Sequence, residues 1–118
     1  MREQVQKAIA AHGIWKQRLK SAIESGQSTY TVAGVAQDDQ CEFGKWLYGS
    51  SGLNRSGSHF ETVRQLHADF HKEVSAILAK ALAGKRREAL NDMGVGTRYG
   101  RISSQLTREL LQWNEKAA

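Results

Sequence analysis

The segment SHFETVRQLHADFHKEVSAILAKALAG, residues 58–84, decides the fold. Its apolar residues Phe60, Val63, Phe70, Val74, Ile77, Leu78 and Ala81 recur at steps of three and four, the period of one face of an α-helix. Ser58 followed by Glu61 has the spacing of a capping box, and Gly84 supplies a stop. The spacing therefore predicts one helix from Ser58 to about Gly84. Two positions on that stripe are not apolar. His67 and His71 stand four residues apart, one turn from each other on the same face, where both can reach a single ion.

Upstream, Val5, Ala8, Ile9, Trp15, Leu19, Ala22 and Ile23 make a second helical stripe between Arg2 and about Ser25, closed by Gly26. His12 falls inside it. Residues 27–38 show no helical period and read as a loop with a short extended piece. Asp39 with Glu42 then fits a capping box, with Asp38 as the other N-cap candidate, so a short helix is expected from about Gln40 to Tyr48. Cys41 would lie in its first turn, where free backbone N–H groups and the helix dipole favour a thiolate. Phe43, Trp46 and Leu47 are read as packing residues, and Gly44 as room for a neighbouring helix. The serines and glycines of residues 49–58 read as a mobile loop.

Downstream of Lys85, the apolar positions Leu90, Met93, Ile102, Leu106, Leu110 and Trp113 predict a fourth helical region. Gly94, Gly96 and Gly100 interrupt it, each costing about 1 kcal/mol relative to alanine, which leaves one helix or two. The chain contains no proline, so nothing else breaks the helices. The expected architecture is all-α: a four-helix-bundle-like domain with a short additional helix carrying the cysteine. At 118 residues, with no internal repeat or linker, it reads as a single domain over 1–118.

No apolar run is long enough to cross a bilayer, and the N-terminal residues lack the apolar core of a signal peptide, so a cytoplasmic setting with no membrane insertion is expected. The formal net charge of +5 permits nucleic-acid binding, but the basic residues are spread out among acidic ones, and no nucleic-acid partner is expected. Cys41 is the only cysteine, which excludes an internal disulfide.

His12, Cys41, His67 and His71 therefore place three imidazoles and one thiol on helical faces. Burying them in a small core would leave several polar atoms to satisfy, and one Zn2+ in a tetrahedral shell satisfies four at once. A closed shell leaves no position for a catalytic water, and the chain has no His-Glu-x-x-His helix, so no enzymatic activity is expected. His59, eight residues before His67, lies about two turns away and is read as a surface or supporting residue.

His12 with Trp15, the block CEFGKWLYG of residues 41–49, and His67 with His71 resemble, in order and spacing, the chemoreceptor zinc-binding (CZB) domain. This is a bacterial sensory module attached to chemoreceptors and diguanylate cyclases. The resemblance implies a homodimeric helical bundle whose three-histidine, one-cysteine zinc set falls on His12, Cys41, His67 and His71. It also implies a zinc- or oxidant-dependent signal, with Cys41 redox-sensing, passed in cis or in trans to an output module governing chemotaxis or cyclic-di-GMP. The chain itself has no recognisable cyclase domain and no long heptad hairpin. Two other readings remain open on the residues: a hemerythrin-like di-iron bundle that binds oxygen, and a metal-free helical adaptor. Four histidines in all are few for the first, and a thiolate is foreign to it.

Overall fold

The computed structural model of the chain describes residues 2–49, 58–94 and 96–117. Within them lie six helices: α1 (Arg2–Ser25), α2 (Val32–Val35), α3 (Glu42–Gly49), α4 (Ser58–Leu82), α5 (Arg86–Asp92) and α6 (Arg98–Ala117). No strand occurs among the described residues. The serine- and glycine-rich segment of residues 50–57, expected to be a mobile loop, lies outside the described residues, as does the Ser58 side chain on which the second capping box depends.

The central rod is α4, which packs against α1, α2, α5 and α6, while α1 also meets α3, α5 and α6. The stripes read from the sequence are the faces that meet. Val5, Leu19, Val63, Phe70, Val74 and Leu110 are all buried to 1% exposure or less. Burying a side chain of this size is worth about 1.5–3 kcal/mol, which is what holds helices with so many charged residues together.

Glycines end the helices where positive φ is needed. Gly26 has φ 72° and donates its N–H to the carbonyl of Ala22. After α4, Gly84 has φ 79°, its N–H meets Ala81 O, and the N–H of Lys85 reaches back to Lys80 O. Those two bonds form a Schellman motif. Gly96, with φ 86°, lies between α5 and α6, so the region after Lys85 is two helices. The α5 register also differs from expectation. Met93 is buried as expected, but Leu90 is half-exposed and Ala89 faces the core instead.

Two expectations near the cysteine are corrected. The loop after Gly26 contains the helical turn α2 rather than an extended piece, because the Thr31 hydroxyl accepts from the Gly34 N–H at 3.0 Å and caps it. The short helix begins at Glu42, so Cys41 precedes the first turn. Neither Asp38 nor Asp39 is its cap. Cys41 itself is the N-cap: its sulfur accepts from the Gly44 N–H at 3.2 Å and its carbonyl from the Lys45 N–H at 2.9 Å.

Phe43 and Leu47 are buried as expected, and Trp46 lies 6.0 Å from Trp113 of α6, which anchors α3 on the bundle. Gly44 is required by the chain itself rather than by a neighbouring helix. A Cβ there would sit 1.8 Å from the carbonyl oxygen of Asp38.

Candidate metal centre

The helical period of α1 turns His12 inward between Ala8 and Trp15, at 8% exposure. The period of α4 does the same for His67 and His71, at 0% and 3%. Cys41 arrives from the other side on the N-cap of α3 and is half-buried. The four side chains converge, each offering one donor atom, and these atoms all lie within 4.8 Å of one another. Among the described residues this is the one group of histidine, cysteine and carboxylate side chains with that property. His59 stays apart, its Nδ1 3.7 Å from Glu109 Oε2 on α6.

His67 Nε2 is the hub. It lies 3.3 Å from Cys41 Sγ and 3.2 Å from His71 Nε2. With metal bonds of about 2.05 Å to nitrogen and about 2.3 Å to sulfur, the edges of a zinc tetrahedron are about 3.3 Å between nitrogens and about 3.5 Å between nitrogen and sulfur. The two separations at His67 match those edges, and the four donor atoms as a set lie within 4.8 Å of one another. The His12 ring completes the set, its centroid 5.0 Å from that of His67 and 5.8 Å from that of His71.

The outer nitrogen of His71 fixes its tautomer. Nδ1–H donates to the carbonyl oxygen of Val35 at 2.9 Å, so Nε2 turns a lone pair toward the cluster. His67 Nδ1 and His12 Nδ1 are buried with no hydrogen-bond partner. Asp38 Oδ2 lies 3.9 Å from His67 Nδ1, and Asp38 also receives the hydroxyl of Tyr48. None of Val35, Asp38 and Tyr48 was identifiable as a support from the sequence. The last two stand in or beside the cysteine block, which was the one available signal.

Burial keeps the imidazoles neutral. His12 is lowered to about 4, by desolvation first and then by repulsion from His71. His67 is lowered to about 2, by desolvation and then by His12 and His71. His71 is lowered by desolvation against an opposing pull from the Val35 carbonyl. The expected depression of the Cys41 pKa is not what the site produces. Desolvation pushes the thiol up, and the N–H groups of Gly44 and Phe43 only partly offset it. In the absence of a cation Cys41 is thus a thiol, with its S–H toward Asp38 O at 3.8 Å.

Neutral imidazoles, one of them fixed with its lone pair inward, a thiol that gains most from a cation, and four donor atoms within 4.8 Å of one another fit a metal ion. Phe70, with its ring 4.9 Å from His12, and Phe43, 5.2 Å from His67, wall the cluster with apolar surface. One side is open. A cleft of about 520 Å³ between α1 and residues 29–43 reaches His12, Cys41 and His71, and gives solutes a path to the sulfur.

The model of the family described as "Chemoreceptor zinc-binding domain" matches residues 12–78, a span that contains all four donor residues. No match was found among curated proteins or solved structures.

Proposed function

The chain belongs to the chemoreceptor zinc-binding domain family, and on that premise we propose that it is a single non-enzymatic sensory domain over residues 1–118 that binds one Zn2+ through His12, Cys41, His67 and His71. The observation that carries the reading is the convergence of three buried neutral imidazoles and one thiol within 4.8 Å. When bound, zinc ties α1, α3 and α4 together at one point and neutralises a thiolate that burial alone would not allow.

The chain's own residues supply the switch. Cys41 releases its proton on binding, while His71 is already held in the binding tautomer by Val35. Sensing then acts at the sulfur, by withdrawal of zinc or by oxidation. With hypochlorous acid, the thiolate sulfur takes up oxygen as sulfenic acid, losing two electrons, and the chlorine leaves as chloride. Either event breaks the tie between the sulfur and the metal, and oxidation also alters the sulfur that caps α3. Because Cys41 joins the metal to the N-cap of α3, loss of that tie loosens the helix, the element we assign to transmission.

In this reading the domain is homodimeric and cytoplasmic. It passes its state to a chemoreceptor or diguanylate cyclase output module, in cis or in trans, and so regulates chemotaxis or cyclic-di-GMP. It engages neither nucleic acid nor the membrane interior, and no described helix is long and apolar enough to cross a bilayer. The hemerythrin-like alternative has no observation in its favour, since three of the four histidines share one centre with a thiol and His59 stands apart.

The test is a chelator competition for zinc with the parent protein and Cys41→Ala. The proposal expects at least a tenfold weaker hold in the variant. Equal affinity would remove Cys41 from the metal centre and with it the thiolate switch.

A further inference from the structure

We propose that Asp38 is a positioning residue of the metal centre, its carboxylate accepting the Nδ1 proton of His67 when Nε2 is ligated. The inference rests on the metal-binding reading of the four donors. His67 is fully buried, and its Nε2 already faces Cys41 and His71 at 3.3 and 3.2 Å, so Nε2 is the atom turned to the metal. A neutral imidazole that binds through Nε2 carries its proton on Nδ1. That N–H has no partner. An orphaned buried donor is rare and costly, and a metal-bound imidazole makes it a stronger donor still.

Asp38 is placed to take it. Its Oδ2 lies 3.9 Å from His67 Nδ1, and among the described residues no lysine or arginine is within ion-pair reach of that carboxylate. The separation is about 1 Å longer than a hydrogen bond, so the proposal requires the carboxylate to turn toward Nδ1 by that much when Nε2 is ligated. The same oxygen is held by the hydroxyl of Tyr48, from the last turn of α3. Burial raises the pKa of that phenol, with Asp38 adding to the effect against an opposing pull from Arg64, so Tyr48 remains a donor. The Asp38 backbone is fixed as well, because its carbonyl fills the space over Gly44. Tyr48, Asp38 and His67 thus form a line of side chains from α3 to the centre of α4. His71 has its counterpart in the Val35 carbonyl, so two of the three histidines would be oriented from the loop that also carries Cys41.

The test uses the full chain and zinc itself, and compares the parent with Asp38→Asn and Tyr48→Phe. Zinc dissociation constants come from chelator competition. A downfield imidazole N–H proton resonance is followed in the zinc-loaded proteins, and metal-free melts control for folding. The proposal expects zinc binding about 10- to 100-fold weaker in Asp38→Asn, a smaller loss in Tyr48→Phe, and an upfield shift or loss of the His67 Nδ1–H signal, with unchanged metal-free melts. Unchanged affinity and an unshifted resonance in Asp38→Asn would overturn the role of Asp38 and leave the zinc reading intact. A lowered metal-free melt with parental affinity would also overturn it, by making Asp38 merely structural. Absence of zinc binding by the parent would overturn both.

Discussion

His71 and Val35, 36 residues apart, are joined by a hydrogen bond of 2.9 Å from the imidazole Nδ1–H to the backbone carbonyl. The bond links a four-residue helix to the central rod and decides which imidazole nitrogen faces the donor cluster. The carbonyl is only as well placed as the turn that presents it. That turn is capped by the exposed Thr31, whose hydroxyl accepts from Gly34 N–H. Thr31→Ala is expected to cost about 1 kcal/mol of stability, typical for a lost cap, and to weaken zinc binding measurably although Thr31 touches no donor. Denaturant unfolding and chelator competition on the same variant check both parts. Parental zinc affinity would show that α2 does not set the tautomer.

Gly44→Ala is expected to be the most disruptive glycine-to-alanine substitution among the described residues. The added carbon would lie 1.8 Å from a backbone oxygen, and a peptide carbonyl cannot turn aside as a flexible side chain can. We expect destabilisation of about 3 kcal/mol and displacement of the α3 N-terminus, with zinc binding reduced at least tenfold. Thermal melts with and without zinc measure both effects. A melt within a degree of the parent would mean that the Asp38 peptide is not packed on α3 as described.

Cys41 combines the roles of cap and donor, and two substitutions separate them. Cys41→Ser keeps an N-cap acceptor, so the metal-free protein should be at least as stable as the parent while zinc binding falls. Cys41→Ala removes both and should cost the metal-free protein about 1 kcal/mol more than Ser. Unfolding of the two metal-free variants reads the difference directly. Equal stability would deny the capping role.

The buried histidines make the metal-free protein acid-sensitive. His12 and His67 have folded pKa values of about 4 and about 2, below the ordinary histidine value of 6.5. The unfolded chain therefore takes up protons first as pH falls, and stability present above about 6.5 is lost progressively toward the folded values. Between pH 7 and pH 5 each of these two histidines should cost about 2 kcal/mol. Urea midpoints of the metal-free protein across that range check the slope. A flat profile would mean that the imidazoles are not buried neutral.

Long-range architecture was legible in the sequence because the α1 and α4 stripes keep a strict helical period over about seven turns. Three donor residues ride on that period, so His12, His67 and His71 were readable from spacing alone. The short elements were not. Four residues such as Val32–Val35 give no period to detect, and a cysteine N-cap competes poorly in any reading of propensities with an Asp39–Glu42 capping box that brackets it. In α5 the expectation that Leu90 is buried failed because two glycine breaks reset the register, and a seven-residue helix carries too few apolar positions to reveal it. The supports of the site are backbone or loop groups such as Val35 O and Asp38, whose partners lie about 30 residues onward and become visible only in three dimensions.

The central claim is that these four donors hold one zinc that couples helices. Elemental analysis of the purified protein, with thermal melts before and after chelation, tests it most directly. The account predicts about one zinc per chain, no iron, and a fall in Tm of at least about 10 °C when zinc is removed, as expected for several kcal/mol of binding energy in a domain of this size. No bound zinc, together with a melt that chelator leaves unchanged, would contradict it.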